Sequence, residues 1–184
     1  MRTLDDRMTD MNTTDIAYLP EDPAHDDAIE SINEEAFGPG RFARAAQAIR
    51  EGGPHDPRLS FVAVHAGDII GSVRMTPIRA GEGRGHLLGP LAVKPAWKSK
   101  GVGRKLVALA LEAAQGEGSG VVVLVGDESY YGPLGFRRLP YGQVTMLRPV
   151  DPARLLACEL VDGAAGRLTG LLTHAEQARP PARR

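Results

Sequence analysis

The most constraining stretch of this 184-residue chain runs from Leu87 to Val125. An apolar segment, Leu-Leu-Gly-Pro-Leu-Ala-Val, enters a basic turn holding Gly101 and Gly103, then a helical pattern, then Val121-Val-Val-Leu-Val125. That last run is continuous and β-branched, the pattern of a strand covered on both faces. Between Val102 and Gln115 the residues Val102, Leu106, Val107, Leu109, Ala110, Leu111 and Ala113 wrap most of a helix, which predicts packing on two sides. Strand, helix and strand form a βαβ unit with parallel strands and a right-handed crossover. Pro90 lies inside the first strand, running from His86 to Val93, and proline cannot donate to a ladder. A bulge or pairing gap there would leave main-chain groups free to bind something else.

The basic turn can meet an anion. The first turn of a helix leaves N–H groups without intrahelical acceptors, and the helix dipole adds to their pull. Gly101 and Gly103 let a diphosphate approach the main chain, and Lys98, Lys100, Arg104 and Lys105 put positive charge around it. A helix start with a solvated basic rim would read the same way, so other stretches must decide. A Walker P-loop is excluded because no Gly-Lys pair occurs in the chain. A Rossmann site would use Gly101-Val102-Gly103 and a ribose-holding acid at Asp127. Against it, Leu106 replaces the third glycine, and residues 94 to 100 separate strand from glycine.

The flanks predict one domain over residues 15 to 165, a flexible leader over 1 to 14, and a C-terminal extension over 166 to 184 that is partly disordered. A short strand is expected at Asp15 to Leu19. A helix follows, capped by Asp26 or Asp27, carrying Ala28, Ile29, Ile32 and Ala36, and ended by Gly38-Pro39-Gly40. A second helix is expected from Arg41 to Glu51 on the spacing of Phe42, Ala45, Ala46 and Ile49. Arg41, Arg44 and Arg50 read as its solvated face in preference to a substrate-binding role. Leu59 to His65 and Ile69 to Arg79 form a hairpin, followed by a glycine-rich loop at 80 to 85. After a turn at Asp127 to Leu134, short strands are expected at 135 to 138, 143 to 147 and 154 to 160.

Composition narrows the partners. The chain is 42% hydrophobic and 24% charged with a net charge of -1, an ordinary soluble-domain composition with no global footprint for nucleic acid or an anionic membrane. No stretch has the apolar length of a signal peptide core or a membrane span. Cys158 is the single cysteine, and no Cys/His spacing suits zinc, so a cytoplasmic location without disulfide or metal is expected. Lying in an apolar strand, Cys158 reads as a buried small hydrophobe rather than a nucleophile.

Leu91-Ala92-Val93-x-Pro-x-x-Lys98-x-x-Gly101-x-Gly103, then a helix, a valine-rich strand and Tyr131-x-x-x-Gly135-Phe136, resembles the GNAT superfamily of acetyl-CoA-dependent N-acetyltransferases. Within it, Leu-Gly-Pro-Leu-Ala-Val, Val-Gly-Asp-x-x-Tyr-Tyr-Gly-x-x-Gly-Phe and Ala-Phe-Gly-Pro-Gly-Arg-Phe are most similar to a bacterial YhbS-like branch. The resemblance implies a mixed α/β (α+β) fold: a central, mostly antiparallel sheet with one parallel, splayed strand pair, flanked by helices. It implies direct transfer of acetyl from acetyl-CoA, a cosubstrate, to an amine on a small molecule or protein acceptor. No metal is involved. The pantetheine arm would pair near Leu91, Ala92 and Val93. Ser99, Lys100, Gly101, Val102, Gly103 and Arg104 would hold the pyrophosphate, with Lys98 standing where Arg or Gln is usual. Asp127 is counted among the coenzyme contacts.

Tyr131, matched to the family tyrosine, would be the general acid beside the sulfur, and Tyr130 a structural aromatic. His86 is the first choice of base, with Asp127, Glu128, Glu34 and Glu35 as others. The resemblance also allows a homodimer joined through the C-terminal strands. Two other readings stand beside it: a noncatalytic acyl-CoA-binding or regulatory module, and RNA binding through the cluster at 94 to 105. The near-neutral chain opposes the RNA reading.

Overall fold

Alternating apolar residues along Asp68–Gly81 make a long strand, β3, that organises the sheet. The computed structural model describes residues 15 to 177, so the leader at 1 to 14 and the last residues, 178 to 184, lie outside the described part. The elements in order are β1 (Ala17–Pro20), α1 (Asp26–Phe37), α2 (Ala45–Arg50), β2 (Phe61–His65), β3, β4 (Gly83–Val93), α3 (Val102–Gly116), β5 (Val121–Val125), α4 (Glu128–Tyr131), β6 (Arg137–Arg138), β7 (Val144–Thr145), β8 (Leu155–Glu159) and β9 (Leu168–His174). The strands run β1-β2-β3-β4-β5-β8-β6 across the sheet, and β9 pairs with the far half of β3 and with β7. Pairing along the main order is antiparallel except between β4 and β5; the two-residue β7–β9 contact is also parallel.

The sheet is buried on both faces. Val122 and Leu124 join α3 (Val102, Leu106, Val107, Ala110, Ala114) and Phe136 in one core. Val121 and Val123, pointing the other way, join Ala46 and Ile49 of α2 with Leu155, Leu168 and Leu172. The β-branched run therefore serves two cores at once. Cys158 is buried in the α3 core, and burial raises its thiol pKa.

Three sequence expectations are corrected. The glycine-rich stretch at 80 to 85 is not a loop: Ala80 pairs with Gly83 and Ile78 with Gly85, leaving only a tight turn. Its glycines serve close approach, since a Cβ on Gly85 would lie 2.3 Å from the Val121 carbonyl oxygen and one on Gly83 2.6 Å from the Arg167 main chain. The second helix is a 3-10 turn over Pro39–Ala43, an extended Arg44, and only then α2. Beyond residue 165 the chain returns to the sheet as β9, with Leu168, Leu172 and His174 fully buried. Gly170, at φ 78°, breaks the two-residue alternation that would have revealed this strand.

An ion network built on Arg74 and the buried Glu21 side chain fastens α1 to the sheet. Arg74 of β3 pairs with Glu21 at 2.7 Å, Asp26 at 2.6 Å and Glu30 at 3.6 Å, and His55 lies 3.0 Å from Glu21. The Glu21 side chain is 4% exposed. Burial pushes its pKa up, yet hydrogen bonds from His55 and Arg74 outweigh this and hold it below its ordinary 4.5. A depressed carboxylate stabilises the fold above its unfolded pKa and loses that contribution as pH falls through the folded one. Glu21→Gln is therefore expected to cost about 3 kcal/mol at neutral pH. Urea melts of the two proteins should draw together as pH falls through the depressed pKa of Glu21, where its side chain becomes neutral like that of Gln.

Candidate active site

The site opens where β4 and β5 part. They share only two register pairs, His86 with Val122 and Leu87 with Val123, although β4 continues to Val93 and β5 to Val125. On its other edge β4 stays paired with β3, with Leu91 opposite Val73, Ala92 opposite Ser72 and Val93 opposite Gly71. Arg74 alone faces both Gly89 and Pro90, so the irregularity expected from Pro90 is a bulge in β4. The Gly89–Pro90 peptide is cis.

A cleft of about 640 Å³ fills the gap. One wall is Leu88 to Leu91 of β4; the other is Leu124 to Asp127 with Tyr130 and Tyr131. The basic turn lies beyond the Val93 end of β4. Buried Trp97, with the His65 ring centroid 4.6 Å away, anchors it. Ser99 (φ 61°) and Gly101 (φ 85°) turn the chain into α3, whose first residues Val102, Gly103 and Arg104 carry N–H groups with no earlier helical turn to accept them. Lys98, Ser99, Lys100 and Arg104 are exposed around this end. A Cβ on Gly103 would lie 2.6 Å from the Tyr130 hydroxyl, and Arg104 stacks over the Tyr130 ring at 5.9 Å. Tyr130, read from sequence as structural, thus reaches the basic turn.

Tyr131 lines the cleft, set edge-on against Tyr130 and buried Phe136. Burial first, then Tyr130 and Asp127, push its hydroxyl pKa up to about 12, so it stays protonated at neutral pH. Gly126 makes room for the ring: a Cβ there would meet it at 2.5 Å.

The candidate bases separate. His86 sits at the closed end of the β4–β5 pair, its Nδ1 2.9 Å from Ser119 Oγ, and does not line the cleft. Desolvation lowers its pKa. The structure therefore does not bring His86 to Tyr131. Glu34 and Glu35 are exposed on α1, which turns Glu30, Asn33 and Phe37 to the cleft at the i, i+3, i+7 spacing of one helical face. Glu128 pairs with Arg138 at 2.6 Å outside the lining, whereas Asp127 lines the mouth and pairs with Arg154 at 3.2 Å.

Sequence reasoning missed Asn33 and Arg154, which carry no local motif, and assigned no site role to Gly126 although it stands in the Val-Gly-Asp motif. It also preferred a solvated face for Arg41, Arg44 and Arg50. All three line the cleft, because the 3-10 turn and the extended Arg44 swing them inward.

The model of the acetyltransferase (GNAT) family matches residues 26–136, more than half of the chain. The chain belongs to the GNAT acetyltransferase family. Membership makes it an acyltransferase by family. Two N-acetyltransferases of Escherichia coli, both described as uncharacterized, are similar to it. YjhQ is 30% identical over 112 residues, a match covering 59% of this chain and 62% of YjhQ, less than two thirds of that relative. YhbS is 27% identical over 151 residues, covering 80% of this chain and 89% of YhbS. The crystal structure of E. coli YhbS in complex with CoA superposes with a TM-score of 0.72 at 25% identity, over 88% of this GNAT chain and 90% of YhbS. A GNAT acetyltransferase from Brucella melitensis in complex with acetyl-CoA gives 0.56 at 28% identity, over 74% and 93%. Among the described residues no group of His, Cys, Asp or Glu is arranged to hold a metal, and no helix is long and apolar enough to cross a membrane.

Proposed function

We propose that this protein binds acetyl-CoA in the β4–β5 cleft and transfers the acetyl group directly to an amine. The observation that carries the reading is the parting of β4 and β5 after two register pairs, which leaves Leu88 to Leu91 facing Tyr131 across a cleft. The edge of Leu91, Ala92 and Val93 takes the amide groups of the pantetheine arm as a missing strand would. The N–H groups of the turn from Ser99 to Arg104 bind the pyrophosphate with Lys98 and Lys100 beside them. The E. coli YhbS and Brucella complexes with CoA and acetyl-CoA support this reading.

In the transfer, the amine lone pair forms the C–N bond to the thioester carbonyl carbon and the C–S bond breaks. Nitrogen loses one proton and sulfur gains one. Tyr131 serves the sulfur, donating its hydroxyl hydrogen toward the charge that develops there. The proton shed by nitrogen leaves through the cleft mouth, where Asp127 stands. An acceptor in this cleft is a small amine or the terminus of a chain.

Calorimetry with CoA, followed by thiol release from acetyl-CoA over an amine panel, tests the reading. Binding with turnover of at least one amine is expected. Binding without turnover on any amine would make the chain a noncatalytic acyl-CoA module, and absence of CoA binding would remove both readings.

A further inference from the structure

Among the described residues Arg50 has no counter-ion. It stands at the end of α2, largely buried, with a partly exposed surface that belongs to the cleft. Its Nε donates to the Gly89 carbonyl oxygen in the β4 bulge at 3.1 Å, and Nη2 lies over Gly89, where a Cβ would come within 2.8 Å of it. Gly89 is thus the residue that lets the guanidinium lie flat against the bulge. Among the described residues no carboxylate pairs with Arg50. Glu30, the acid of α1 in this wall, is 3.6 Å from Arg74, and Glu51 is held by Arg148 at 3.0 Å. Burial first, then the positive charges of Arg44 and Arg74, pull its pKa down to about 10.

A desolvated cation pressed by two others is costly unless an anion completes it. Asn33 adds an independent sign of a missing ligand. It is 3% exposed, lines the same cleft, and its Oδ1 has no hydrogen-bond partner among the described residues. A buried acceptor atom in the same cleft as an unpaired guanidinium suits a ligand carrying both a hydrogen-bond donor and a negative group.

We infer that the amine acceptor carries an anionic group, a carboxylate or a phosphate, which docks on the Arg50 guanidinium in the cleft wall opposite Tyr131. This rests on the acyltransfer reading above. Arg50 is then a specificity residue. Its planar fork holds the anion in two parallel hydrogen bonds, which fixes the acceptor's orientation.

The test uses matched amine pairs that differ only in the anion: glycine, β-alanine and γ-aminobutyrate against their amides, and O-phosphoethanolamine against ethanolamine. Thiol release and melting of the CoA-loaded protein are both measured. In the wild type, at least one anionic member should exceed its neutral partner about tenfold in kcat/KM, the size of a charged hydrogen bond. It should also raise Tm where the partner does not. Both differences should vanish in Arg50→Met and shrink in Arg50→Lys, which keeps the charge and loses the fork. Which pair responds separates carboxylate from phosphate.

Neutral amines matching their acids in both readouts would overturn the inference, as would a preference that survives in folded Arg50→Met. If Arg50→Met fails to fold, the Arg50→Lys comparison decides on the same terms. Failure of CoA to bind by calorimetry would instead sink the acyltransfer reading, and melting of the unloaded protein with the same pairs would still report on the anion site.

Discussion

Replacing Tyr131 by phenylalanine is expected to lower kcat about a hundredfold, at the lower end of what a positioned proton donor contributes. CoA binding by calorimetry should be unchanged. The size follows from the pKa. At about 12 the hydroxyl is a weaker acid than a thiol, which ionises near about 8.5, so outright transfer to the leaving sulfur is uphill. On the proposed reading Tyr131 acts chiefly as a hydrogen-bond donor to the developing thiolate, and the proton follows as the nitrogen releases its own. A consequence separates it from a group that must titrate: the rate should show no Tyr131-dependent alkaline limb in the neutral range. Single-turnover measurement of thiol release checks both statements, and a Phe variant with full kcat would remove the role. Phenylalanine keeps the ring that packs on Gly126 and Phe136, so the fold should not confuse the result.

Gly103→Val is expected to weaken acetyl-CoA binding about a hundredfold, close to 2.7 kcal/mol. The first added carbon already falls 2.6 Å from the Tyr130 hydroxyl, and Val93 and Leu91 stand at 3.7 and 3.8 Å. The branched side chain must push Tyr130 or fill the end of the channel between the basic turn and the β4 edge. The fold should tolerate the change, since on helix propensity valine is no worse than the glycine it replaces. KM for acetyl-CoA should rise far more than kcat falls, and titration by calorimetry gives the affinity directly. An unchanged affinity would place the coenzyme elsewhere.

The proposed coenzyme half of the site carries local sequence signals because its parts are contiguous. Leu91 to Val93, the turn to Arg104 and Tyr131 lie within two supersecondary connections, and each carries a local signal: a proline in a strand, a helix start with glycines, an aromatic before Gly-Phe. The GNAT family match and the YhbS fold agree with the family and fold that those signals implied. The opposite wall of the cleft was not legible, because Asn33, Arg50 and Arg154 come from separate stretches and meet only in the folded chain. His86 shows the limit from the other side. Three residues nearer the start of the strand than the bulge, it is already where β4 and β5 are still paired, and its ring goes to Ser119.

What the sequence determined alone was periodicity and local chemistry: a βαβ unit, a doubly buried Val121–Val125, a strand interrupted at Pro90 and an anion-ready turn. These follow from backbone donors, apolar spacing and side-chain volume within a dozen residues. Only the tertiary structure decided how far β4 and β5 stay together, that residues 168 to 174 return to the sheet, and which way α2 faces. Those outcomes depend on packing between segments far apart in the chain. The charge of Arg50 is the clearest case: along the sequence it resembles any helix-surface arginine, and its burial beside Gly89 without an acid is set by the bulge in β4.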